Sequence, residues 1–241
     1  MYRNKKIYEI KYTDVDAYDN IKLSSLLSFA EESSCLSADE LGFGYKDVHH
    51  LNIGFVIANW YFEFSQPVKI GHNLEIHTWP LRPRFSIFFR DYELFIDGKK
   101  VGVGTARWCM INIKTFETLP PHAFFGEGAF DGYNTERSVD FKNWKIPQID
   151  NAEPVYSKLV KYSDYDHYFH VNNTKYADFL MDVFSVDELS EKFVKSFQIT
   201  YVKQCKYGET LGFYRKDFDG YSIVEGRVDG ELRVQMRVEF N

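Results

Sequence analysis

The chain has 241 residues, 44% of them hydrophobic and 27% charged, with a formal net charge of −6. That is an ordinary composition for a globular fold, and a chain of this length buries roughly 70–75% of its unfolded surface without needing disulfides or a metal. The acidic balance argues against a nucleic-acid partner, and no stretch approaches the roughly 18 consecutive apolar residues of a membrane span.

In chain order, IYEIKY (7–12) reads as a short strand leading into a turn rich in Asp and Asn. A helix is predicted next, because Leu23, Leu26, Leu27, Ala30 and Leu41 recur with mostly helical spacing and Gly42 and Gly44 end the segment. FVIANWYFEFSQPV, NLEIHTW, SIFFRDYELFI and VGVGTARWCMIN then alternate as antiparallel strands do. The following stretch carries Pro and Gly without periodicity, and residues 121–155 are taken as a linker. KLVKY (158–162) restarts the pattern. Tyr176, Phe179, Leu180, Val183 and Phe184 make a second helical stripe, followed by the strands FQITYVKQC, LGFYRK, YSIVEGRVD and LRVQMRVEF. Asp-Gly pairs at 97–98 and 229–230 mark hairpin turns.

The chain repeats itself. YTDVDAYDNIKL (12–23) returns as YSDYDHYFHVNN (162–173), an offset of 150 (162 minus 12). VKIGHNL (68–74) returns as CKYGETL (205–211) at an offset of 137 (205 minus 68), and the segments at 85–87 and 97–99 have weaker counterparts at 221–223 and 229–231. Matches in one order imply two copies of one unit. An α+β fold is expected, with a 1–120 unit and a 156–241 unit, each a long helix wrapped by an antiparallel sheet. Pairing the two sheets edge to edge would remove an exposed edge from each.

A duplication supplies its own control. Asp14 and Asp16 have counterparts in Asp164 and Asp166, where a carboxylate can serve a helix start by accepting backbone N–H groups. His170 has Asn20 as its counterpart, and Asn172 and Asn173 replace Lys22 and Leu23. The second unit thus gathers Asp166, His167, His170, Asn172 and Asn173 at one helix start. The helix N-terminus can polarise a carbonyl and hold the oxyanion formed on attack, although spacing alone does not name the substrate. A carboxylate can act as nucleophile or as base for water, His moves protons near neutral pH, and Asn orients water or amide groups. His167, His170 and Asp166 do not make three clean metal ligands. His49–His50 reads as a solvated turn. Cys205 has Val68 as its counterpart, so a small buried residue competes there with a thiolate paired to His170.

SDYDHYFHVNNTKYADFLMD (163–182) resembles the signature of acyl-acyl carrier protein thioesterases, Ser-Asp-x-Asp-x-Asn-x-His-Val-Asn-Asn followed three residues later by Tyr. RDYEL (90–94), RWCMINIKTFETLPP (107–121) and YVKQC (201–205) are similar to further segments of that family, so the resemblance spans about residues 5–240. It implies a double hotdog fold of two tandem units, and hydrolysis of fatty acyl thioesters on acyl carrier protein. Asp166 and His170 fall on the family's catalytic Asp and His. Tyr168 stands where the family has Asn, and Gln204 where it has Glu; Gln orients water but cannot take its proton. The resemblance thus implies Asp166, His170 and Gln204 as catalytic, with Tyr168, Asn172, Asn173 and Cys205 positioning substrate. It implies neither metal nor cofactor.

The same fold also accommodates an acyl-CoA thioesterase, a non-catalytic acyl-chain-binding protein that Tyr168 and Gln204 would suit, or, with a weaker fit, a dehydratase. Acyl carrier protein is the expected partner, with no nucleic acid and no membrane, and a homodimer is left open. Cys35, Cys109 and Cys205 lack CxxC spacing, which argues against a disulfide framework and for a reducing compartment. The opening MYRNKKIYEIKYTD has no apolar leader core. A bacterial cytoplasmic location is the expectation.

Overall fold

A computed structural model describes residues 2–150, 153–166 and 169–241. Strand β1 (Asn4–Glu9) precedes helix α1 (Leu23–Glu40) and a one-turn helix α2 (Tyr45–Val48). Strands β2 (Ile53–Phe64), β3 (Asn73–Pro80), β4 (Ile87–Ile96) and β5 (Lys99–Asn112) follow. The second half repeats the plan with β6 (Tyr156–Leu159), α3 (Asn173–Met181), β7 (Val194–Tyr201), β8 (Thr210–Phe218), β9 (Tyr221–Val228) and β10 (Glu231–Phe240).

Among the described residues these strands form one sheet in the order β1-β3-β4-β5-β2-β7-β10-β9-β8-β6. The second five mirror the first. The halves join where β2 and β7 pair antiparallel, Asn59 opposite Thr200 through Glu63 opposite Ser196. This is the edge-to-edge pairing the repeat predicts. It satisfies backbone groups that each unit alone would leave on an open edge. Asp97 and Asp229 (both φ 50°), with Gly98 (φ 73°) and Gly230 (φ 79°), turn the β4–β5 and β9–β10 hairpins. Two successive positive φ values match the twist of the flanking strands, and Asp-Gly adopts them readily.

Alternation along the strands fixes the two faces. Trp60, Phe62 and Phe64 on β2, Phe197 and Ile199 on β7, and Val234, Met236 and Val238 on β10 join one buried core with Leu26, Leu27 and Ala30 of α1 and Tyr176, Ala177 and Leu180 of α3. Both helices therefore lie on the same face of the sheet, and they touch each other. Residues 136–149 cross the opposite face, while Phe124 and Phe125 pack on the helix side with Phe43 and Met110. Trp79 Nε1 donates to the Glu136 carbonyl at 3.0 Å and Gln198 Nε2 to that of Trp144 at 2.7 Å. Arg137 Nε and the Ser138 N–H donate to the buried Asp91 carboxylate at 2.9 and 2.8 Å. These bonds let polar residues of the outward face be buried without losing their partners.

One expectation is corrected. The second helix is not long: α3 has 9 residues against 18 in α1. Val183 and Phe184 remain buried, but in the turn that follows. Past Asp182 the sequence VFSVDEL starts a new turn. The Ser185 N–H donates to Glu188 Oε2 at 2.8 Å and the Glu188 N–H to Ser185 Oγ at 3.2 Å, the reciprocal bonds of a capping box.

Candidate active site

The two helix starts have the same backbone. Val15 bridges Ile21, and Tyr165 bridges Val171. The Lys22 N–H donates to the Asp14 carbonyl, and the Asn172 N–H to that of Asp164, both at 2.9 Å. Asp14 accepts the Lys11 N–H at 2.9 Å, and Asp164 that of Lys161 at 2.8 Å. Asp164 is buried and also takes the Lys158 ammonium at 2.7 Å. Asp16 Oδ1 accepts the N–H groups of Tyr18 (2.9 Å) and Asn20 (3.0 Å), and Asp166 Oδ1 accepts that of His170 at 3.3 Å. Both loops pass through a left-handed residue, Asp19 (φ 65°) and Phe169 (φ 60°). Asp tolerates that conformation; Phe, here largely exposed, is an unusual choice.

Against this common frame the differences stand out. His170 is half-buried, and its ring meets Phe116 edge-on at 5.5 Å between centroids. Burial lowers its pKa below the usual imidazole value, while the Asp166 carboxylate acts in the opposite direction. Phe116 comes from the turn after β5 in the other half and is itself at φ 60°. A strained, half-exposed aromatic over a histidine is the kind of outlier that marks a working site. Asn172 caps α3: its Oδ1 accepts the Thr174 N–H at 2.9 Å and hydroxyl at 2.8 Å. Its counterpart Lys22 makes no such side-chain bond. The Lys175 N–H goes to the Asn172 carbonyl. That leaves the Asn173 N–H, at the first position of the helix, without an acceptor among the described residues.

Asn173 Nδ2 donates to Glu31 Oε2 at 2.9 Å, across the boundary between the halves. Glu31 sits on α1, and sequence spacing alone did not single it out. The comparison of halves contains the signal: at the helical offset of 150, Leu26, Leu27 and Ala30 coincide with the equally buried Tyr176, Ala177 and Leu180, and Glu31 with Met181.

The structure thus brings Asp166, His170, Asn172 and Asn173 to one helix start. Tyr168 and His167 lie outside the described residues. Cys205 falls differently from the expectation. Strand β7 ends at Tyr201, and Gln204 is exposed on the segment beyond it. Cys205 is a core residue, 1% exposed. Its N–H donates to the Tyr176 hydroxyl at 3.1 Å, and burial pushes its thiol pKa up. A thiol held neutral in the core is neither a nucleophile nor a surface for substrate. Its counterpart Val68 is buried as well.

Two family models match the chain, the acyl-ACP thioesterase N-terminal domain over residues 2–119 and the C-terminal domain over 150–239. Comparison with curated proteins gives no match. Among solved structures, an acyl-ACP thioesterase from Bacteroides thetaiotaomicron superposes with a TM-score of 0.90 at 21% identity, covering 99% of this chain and 98% of that one. The 12:0-ACP thioesterase from Umbellularia californica gives 0.85 at 16% identity, covering 99% and 97%. These likenesses show the tandem hotdog fold. With both halves matched in order over most of its length, the chain belongs to the acyl-ACP thioesterase family, hydrolases that release fatty acids from acyl carrier protein.

Proposed function

We propose that fatty acyl-ACP thioesters are hydrolysed at the start of α3, with His170 as the proton-transfer group. The observation that carries this reading is the half-buried His170 between Asp166 and Phe116, at a loop whose twin has Asn20 instead. A lowered pKa leaves the imidazole neutral, and so basic, at neutral pH. A water attacks the thioester carbonyl carbon while His170 takes its proton. The oxyanion forms toward the Asn173 N–H and the positive end of α3. The C–S bond then breaks and the proton passes to the departing sulfur, giving free fatty acid and the carrier protein's thiol. Asp166 steadies the imidazolium through its charge while its carboxylate holds the loop. Cys35, Cys109 and Cys205 are free thiols, which supports a cytoplasmic setting.

Two measurements test this reading on a fatty acyl-ACP substrate. His170→Ala should lower kcat by about 10²–10⁴-fold, the contribution of a positioned acid–base group. Turnover in H₂¹⁸O should leave the Asp166 peptide unlabelled. Full activity in His170→Ala, or ¹⁸O in the Asp166 carboxylate (the mark of an acyl-aspartyl intermediate), would overturn it.

A further inference from the structure

We infer that Glu31, on the helix of the N-terminal half, is a positioning residue of the thioesterase site: its carboxylate orients Asn173 so that Asn173 Oδ1 accepts a hydrogen bond from the attacking water. This rests on the reading of the α3 start given above. A carboxylate only accepts, so the Asn173 amide must turn its nitrogen toward Glu31 and its oxygen away. That oxygen is buried and has no partner among the described residues. The backbone is held at the same point, because the Tyr201 hydroxyl donates to the Asn173 carbonyl at 2.9 Å. A buried acceptor without a donor is costly to the free protein, and a bound water removes that cost. Asn173 lies three positions beyond His170 at the same helix start.

The duplicated half shows that folding does not require this pair. There the positions of Asn173 and Glu31 hold Leu23 and Met181, which line a cavity of about 420 Å³ together with Asp16, Asn20 and Phe184. The same backbone thus forms with an apolar pair in that place. A part-buried Asn–Glu contact bridging two helices is no better for stability than Leu–Met, because both polar groups give up water to make it. Its presence at only one of two equivalent sites, the one that has His170, assigns it to the chemistry.

The test is steady-state kinetics on a fatty acyl-ACP, with melting curves, for Glu31→Met, Glu31→Gln, Asn173→Leu and the Glu31→Met/Asn173→Leu double variant. Glu31→Met should lower kcat by about 10²-fold, as misplacing a reacting group does, with KM within about threefold. Glu31→Gln should recover most of the rate, because its amide oxygen still accepts. The double variant should be no slower than Asn173→Leu. Wild-type kcat in Glu31→Met, a Gln variant as slow as the Met variant, or losses that multiply in the double variant would each overturn the inference. Should Glu31→Met fail to fold, Asn173→Asp decides: it should be slow through repulsion and partly restored by adding Glu31→Gln, and no restoration counts against the proposal. An active His170→Ala variant overturns the underlying site; an inactive one beside a fully active Glu31→Met overturns only the role of Glu31.

Discussion

Phe116 closes over His170 from the other half of the molecule, ring edge to ring face at 69° between planes. The contact takes solvent from the imidazole, and desolvation is the leading cause of its lowered pKa. If His170 acts as a base, only its neutral form works, so activity rises as pH climbs through that pKa. Phe116→Ala should re-expose the ring and move the pKa back toward 6.5. The acidic limb of the kcat/KM profile should then shift to higher pH, with melting temperature little changed. A limb that stays put would mean that Phe116 does not set the protonation of His170.

Asp166 and Asp16 make a matched pair for separating loop from chemistry. Asn in either position still accepts the loop N–H groups, as Asn does in Asx turns, but carries no charge. Asp16→Asn should leave kcat within about twofold, and Asp166→Asn should lower it by about 10²-fold, the lower end of acid–base effects. The Asp166 carboxylate raises the His170 pKa. Removing it should therefore move the acidic limb to lower pH, opposite to Phe116→Ala. Equal losses in the two variants would assign both carboxylates to the loop.

The repeat was legible because turn chemistry is local. Asp14 and Asp164 bind N–H groups three residues away, and the two Asp-Gly hairpins need left-handed φ values that other residues resist. The predicted site was partly legible for the same reason: Asp166, His170, Asn172 and Asn173 lie within eight residues of one another. Glu31 and Phe116 were not, since only the packing of α1 on α3 and the turn after β5 bring them there. Gln204 and Cys205 were drawn in by the family resemblance; the counterpart Val68 already pointed Cys205 to the core, and β7 stops at Tyr201. Beyond that point burial follows the loop's own path, not a two-residue period.

Asp164 offers a stability test with no catalytic readout. It is 5% exposed and joins the Lys158 ammonium and the Lys161 N–H. Asp164→Ala strands the Lys161 N–H and leaves the Lys158 ammonium only the Leu159 carbonyl at 3.2 Å, and hydrogen bonds to charged groups contribute about 1.5–3 kcal/mol. A loss of about 2 kcal/mol in denaturant unfolding is expected. A change below about 0.5 kcal/mol, the range of ordinary surface substitutions, would show that the loop holds without it.

Cys205 and Gln204 supply the last test, by substitution toward known alternatives. Cys205→Val installs the residue found at the buried counterpart Val68. A near volume-conserving apolar swap costs under about 1.5 kcal/mol, so the variant should fold and keep kcat within about twofold. Gln204→Glu restores the acidic residue of the family signature on an exposed segment. With proton transfer assigned to His170, that new carboxylate should change neither kcat nor the acidic limb. A rise in kcat with a second ionisation in the pH profile would show that position 204 reaches the reacting thioester. A large loss in Cys205→Val, without loss of stability, would return the thiol to the site.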